Sequence, residues 1–70
     1  MQPPWITYQD IAPGSIGWRM GRGEDAWDDF YRAFSDLSSD ERAAFALRYP
    51  EPKGWEGTYL RIAANPWPND

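Results

Sequence analysis

A chain of 70 residues with a formal net charge of −4 allows one domain and one small core. Folding at this length removes only about 60% of the unfolded surface from water. There is no cysteine and no histidine, which excludes disulfides, thiolate nucleophiles, and the commonest zinc ligand and general base. Eleven acids against seven bases argue against a surface that tracks nucleic-acid phosphates.

The unusual entry is aromatic: five Trp, four Tyr and three Phe make 17% of the chain. Rings bury large areas each, so they suit a small domain with no other staple, and equally a sticky interface. Met1-Gln2-Pro3-Pro4 carries no basic side chain and leads into no apolar segment, which argues against a signal peptide. No uninterrupted apolar run approaches the about 20 residues of a membrane span. A soluble protein of a reducing compartment, the cytoplasm, is the expectation.

In chain order, residues 1–14 read as an extended arm, set by Pro3, Pro4, Pro13 and Gly14, with room for a short turn around Tyr8–Ile11. Trp5, Ile6, Tyr8 and Ile11 make the arm too apolar to float, so it is expected to dock on the body. Ser15–Met20 alternates, with Ile16, Trp18 and Met20 on one side, and reads as a short strand or extended segment weakened by Gly17. After the Gly21-Arg22-Gly23 turn, Glu24–Leu37 places Trp27, Phe30, Tyr31, Phe34 and Leu37 at helical spacing. With Ala26 and Ala33 these positions fall within an arc of about 160°, with the acids opposite. Ser38-Ser39-Asp40-Glu41 fits a capping box that opens a second helix running to about Tyr49, before Pro50. On it Ala43, Ala44 and Leu47 form one stripe, and Phe45 and Tyr49 lie nearly opposite. From Trp55 the spacing of Tyr59, Ile62 and Ala63 favours a helix ending at Asn65-Pro66, although 58–62 also alternates as a strand would. The expected fold is therefore mainly α: two or three short helices with an extended N-terminal arm. A 15–67 body follows the 1–14 arm, and 68–70 form a tail. The alternative is α+β, with a strand pair formed by 15–20 and 58–62.

Several motifs invite chemistry. Gly21-Arg22-Gly23-Glu24-Asp25-Ala26 matches a dinucleotide-binding fingerprint. Its helix would present Glu24 and Asp25 to a pyrophosphate, and the next element is another helix, so a turn is the better reading. Glu24, Asp25, Asp28, Asp29, Asp36, Asp40 and Glu41 gather most of the acids into one stretch. Helical carboxylates without loop ligands make poor cation sites, so no metal and no cofactor are expected. The choice is between a solvated face and a surface for a basic partner. Catalysis lacks an activated nucleophile or a carboxylate pair in a setting that would separate their pKa values, so no enzyme activity is expected. Arg19, Arg22, Arg42, Arg48 and Arg61 are scattered among rings without a basic stripe, against direct nucleic-acid binding. Trp18, Trp27, Phe30, Phe34 and Tyr59 have core spacing, whereas Phe45, Tyr49, Trp5 and Trp67 have no obvious inward stripe. Those four either lie under the arm and tail or form an exposed patch, which could serve a homodimer.

Gly14-Ser15-Ile16-Gly17-Trp18-Arg19-Met20-Gly21, then Gly23-Glu24-Asp25 and Trp27, with Pro50-Glu51-Pro52 and Gly54-Trp55-Glu56-Gly57, resemble a group of short proteins from bacteria and their phages. The resemblance covers about residues 5–67 and carries no established activity, so it transfers no functional residue. As a class, a tiny acidic chain is similar to phage-encoded inhibitors such as anti-CRISPR proteins, which implies occupation of a basic surface on a host defence complex in a bacterial cytoplasm. The expected function is thus a non-catalytic protein-binding module. Its expected partner-binding residues are Glu24, Asp25, Asp28, Asp29, Asp36, Phe45, Tyr49 and Trp67. The rivals are a homodimeric adaptor using the aromatic patch and a small nucleic-acid-associated regulator.

Overall fold

The computed structural model describes residues 1–68, and its regular structure is helical, with no strand among the described residues. Helix α1 spans Pro4–Thr7, α2 Gly21–Ser35, α3 Ser39–Arg48 and α4 Thr58–Ala64, with a 3₁₀ turn at Ile16–Trp18. Asn69 and Asp70, the end of the expected tail, lie outside the described residues.

The arm is not simply extended. Pro4 occupies the first position of α1, where its missing N–H costs nothing and its fixed φ suits the helix, and both Pro3 and Pro4 are buried. That single turn aims Trp5 at Phe30, Trp55 and Tyr59.

The alternation of Ser15–Met20 does not make a strand. Trp18 N–H donates to the Ser15 carbonyl (3.2 Å) and Arg19 N–H to the Ile16 carbonyl (2.9 Å), so the segment satisfies its backbone locally and coils. Coiling separates the three apolar side chains: Ile16 and Met20 are left in solvent, while Trp18 turns inward and anchors its indole N–H on the Ala12 carbonyl (3.0 Å).

Helix α2 begins at Gly21 rather than Glu24 and ends at Ser35 rather than Leu37. Gly21, at φ 62°, turns the chain out of extended Met20 into the helix, a conformation that favours glycine. Gly23 then lies inside the first turn, buried, on the same side as Phe30 and Phe34. A Cβ at Gly23 would overlap the Gly17 carbonyl oxygen and sit 2.7 Å from its carbon. The glycine pair is therefore a packing device that lays the 3₁₀ turn against α2 backbone to backbone.

At the other end, Arg42 Nε donates to the Phe34 carbonyl (3.3 Å) and its terminal nitrogen to the Ser35 carbonyl (2.8 Å), satisfying carbonyls that a helix end leaves without partners. The capping box forms: Ser38 Oγ accepts from Glu41 N–H (3.2 Å), and Glu41 Oε1 accepts from Ser38 N–H (2.8 Å). Those bonds, the backbone one first, hold the Glu41 carboxyl below its ordinary value.

The ambiguous fourth segment is a helix from Thr58, not Trp55. Thr58 and Ile62 are buried one turn apart while Leu60 between them is 78% exposed, which is helical and not strand periodicity. Glu51 starts it from a distance. Its carboxylate accepts from the backbone N–H groups of Gly57 (3.1 Å) and Tyr59 (2.8 Å), two donors that the helix cannot satisfy itself.

Phe30, Phe34 and Ile62 form the buried centre, ringed by Trp27, Tyr31, Leu37, Phe45 and Tyr59. Trp55, which the sequence marks only as a helix start, is 9% exposed and touches Trp5, Trp18 and Trp27. The radius of gyration is 11.7 Å, close to the about 11 Å expected of a folded chain this long.

Two substitutions test this packing. Gly23→Ala in an ordinary helix interior would stabilise by up to about 1 kcal/mol. Here the methyl meets backbone that cannot turn aside, so a loss of about 2 kcal/mol or more is expected, read as a lower midpoint in urea. Phe34→Ala should cost about 3–5 kcal/mol, most of the stability of so small a domain. Thermal melts of either variant matching the parent would show the α2 inward face to be misassigned.

Candidate functional site

The acids divide into two sets. Asp10 pairs with Arg22, Glu41 completes the capping box, Glu51 holds α4 and Glu56 Oε1 accepts from Gly54 N–H (2.7 Å). Among the described residues, Glu24, Asp25, Asp28, Asp29, Asp36 and Asp40 enter no side-chain hydrogen bond or ion pair. All but Asp40, which lies in the first turn of α3, belong to α2 or its C-terminal cap. Asp28 is half-buried and the other five are exposed.

Helical geometry sets Arg22 and Arg32 beside these acids, within one turn of Asp25 and Asp29. Both arginines are engaged elsewhere. Arg22 pairs with Asp10 and lies over the Tyr8 ring at 5.0 Å. Arg32 lies over the Trp67 ring at 4.9 Å. The neutralising partners are thus drawn off by the arm and the tail, and the carboxylates keep their field. Asp25 and Asp29 also border an open groove of about 430 Å³ between α1 and α2, with Tyr8 and Arg22 on its other lip. No group of three metal-ligating side chains occurs among the described residues. No helix among them is long and apolar enough to cross a membrane.

The aromatic candidates are engaged within the fold. Phe45 is half-buried against Phe30, Phe34, Tyr49 and Tyr59. Tyr49 packs on Phe45, and its carbonyl accepts from the Tyr59 hydroxyl (2.7 Å). Trp67 stands edge-on to Tyr31, and its N–H donates to Ser35 Oγ (2.8 Å), while Tyr31 donates to the Asn65 carbonyl. Phe45 and Tyr49 pack on each other at the end of α3, Trp67 packs apart from them on Tyr31, and none of the three is exposed. On α3 the inward side is Phe45 and Tyr49, and the Ala43–Ala44–Leu47 stripe faces solvent, with Leu47 84% exposed.

Gly21 is a left-handed turn residue and Gly23 packs on the Gly17 carbonyl, so this segment serves as the turn into α2. Two groups emerge that sequence patterns did not single out: the Glu51 clamp, and Trp55 with Arg19 and Arg61 around it. Neither has a local signal, because each depends on a loop returning to a helix.

Burial, then the nearby Glu51 carboxylate, pushes the Tyr59 hydroxyl above its ordinary value of 10.0. The folded state thus favours the neutral phenol. That contribution is full below pH 10.0 and is lost as pH rises above it. Urea midpoints measured across the alkaline range should fall above that point, and Tyr59→Phe should remove much of the slope. The same variant should cost about 1 kcal/mol at neutral pH through the lost bond to Tyr49. An unchanged alkaline slope in the variant would locate the titration elsewhere.

No protein-family model, curated protein or solved structure matches the chain.

Proposed function

We propose that the chain is a non-catalytic protein-binding module that engages a basic partner surface through the acidic side of α2. The observation that carries the reading is the diversion of Arg22 and Arg32. The fold holds the two cations best placed to neutralise Asp25 and Asp29 against Asp10, Tyr8 and Trp67 instead. A face with unpartnered carboxylates on the longest helix steers a basic partner and fixes it by charge-assisted bonds. Small size and acidity, which phage-encoded inhibitors share as a class, suggest one form of this role, a phage or mobile-element inhibitor that occupies a nucleic-acid-binding surface of a host complex.

Asp25, Asp29 and Asp36 share one side of α2, and none takes part in the core. Replacing all three with Lys should leave the helical circular dichroism intact, with a modest loss of melting temperature, because exposed charges contribute little individually. A partner captured from the source cell by the parent chain should bind the triple variant about 10- to 1,000-fold more slowly. The parent complex should also weaken steeply with salt. A partner that binds both chains alike, or whose affinity ignores ionic strength, would overturn the reading and leave the acids a solubilising role.

A further inference from the structure

A second groove, of about 400 Å³, opens between the 3₁₀ turn, α2 and the loop before α4. Trp18, Trp27 and Trp55 line it together with Arg19 and Arg61, and Gly14 and Gly54 supply edges without side chains. Trp55 stands edge-on to Trp18 (5.1 Å, 85°) and tilted by 32° on Trp27 (6.1 Å), so the groove offers indole surface in more than one plane. The bond from Trp18 to the Ala12 carbonyl fixes one of these rings. A smaller cavity of about 220 Å³ shares Trp27 and Arg61 as its wall.

The charges in this groove differ in kind from those of the rest of the molecule. Arg22, Arg32, Arg42 and Arg48 each lie over an aromatic ring of the fold. Arg19 and Arg61 do not, although three indoles surround them, and among the described residues neither forms an ion pair. Among the described residues the Arg61 guanidinium makes one hydrogen bond, a long one to Thr58 Oγ1 (3.4 Å). No carboxylate lines the groove, and Glu56, next to Trp55, is tied back to Gly54 N–H. In a chain of net charge −4, the charged side chains lining this groove are thus both cationic and sit among indoles.

We propose that the groove binds a small planar anion: an aromatic ring bearing one phosphate or carboxylate, of the size of a nucleoside monophosphate. The ring stacks on the indoles, and the anionic group meets Arg19 and Arg61 in charge-assisted bonds. The volume falls in the range of small-ligand sites. A strand is disfavoured, since the net charge of −4 repels a continuing phosphate backbone. Trp27 lies about 200° around α2 from both Asp25 and Asp29, so this site is separate from the acidic side and does not depend on it.

The test is a titration of the ¹⁵N-labelled chain, followed through its tryptophan indole N–H signals. Adenosine monophosphate and naphthoate are the two probes, and they distinguish a phosphate from a carboxylate source. Saturable shifts at Trp18, Trp27 and Trp55 are expected with at least one probe, with Trp67, which touches none of these rings, as the internal control. Adenosine and inorganic phosphate should each bind about tenfold or more weakly than the nucleotide if phosphate is the anion. Arg19→Gln with Arg61→Gln should weaken the responsive probe by about tenfold or more while preserving the dispersed spectrum. Should that pair unfold, Arg19→Gln alone serves, since its side chain makes no bond within the fold. Failure of both probes to shift these signals, an equal shift at Trp67, or unchanged affinity in the arginine variants would overturn the proposal. So would a single-stranded oligonucleotide binding far more tightly than the nucleotide.

Discussion

The Trp55 indole touches rings from three other parts of the chain: Trp5 from the arm, Trp18 from the 3₁₀ turn and Trp27 from α2. A domain this small, without disulfides, must draw stability from area, and indoles supply more of it than any other side chain. The remaining rings extend the same network. Phe30 and Tyr59 link Trp5 to Phe34 and Phe45, Tyr49 joins through Phe45, and Trp67 joins through Tyr31. Only Tyr8 stands apart, held by Arg22. Short helices that could not stand alone in water are thereby made mutually dependent.

This demand on the rings shapes the charges too. Where an arginine lies over an aromatic face, it is withdrawn from the acids beside it, as Arg32 is by Trp67. Acids that hold backbone, such as Glu51 and Glu41, are likewise unavailable to cations. What remains lies mostly in two places: unpartnered carboxylates along α2, and Arg19 with Arg61 beside the tryptophans. The two surfaces proposed to bind are the residue of a folding solution that used the other charges internally.

How much was legible in the sequence follows the range of each interaction. The wheel of α2 and the capping box of α3 are local, and both stand in the structure, with helix ends shifted by a few residues. Periodicity failed at Ser15–Met20 because a period of two over six residues cannot distinguish a strand from a 3₁₀ turn when no partner strand exists. It failed at Gly23 as well, since a glycine inside a helix looks like a break until the backbone it touches is known. The acidic side of α2 was readable; the loss of its arginines to Tyr8 and Trp67 was not, because both contacts join distant segments. The same holds for the groove around Trp55.

The joint between α2 and α3 bears on the order of assembly. Arg42 spans it, reaching back to Phe34 and Ser35, and Phe45 meets Phe34 across it, all within a short stretch of chain. Closing that loop loses little entropy, whereas bringing Trp5 onto Trp55 closes most of the molecule. The expected folding nucleus is therefore the α2–α3 hairpin, with the arm arriving late, as sequence-distant contacts generally do. Mutational φ-values would then be high around Phe34 and Phe45 and near zero at Trp5, and the reverse pattern would contradict this order. Late docking would make the arm the strap that sets how slowly the native state comes apart.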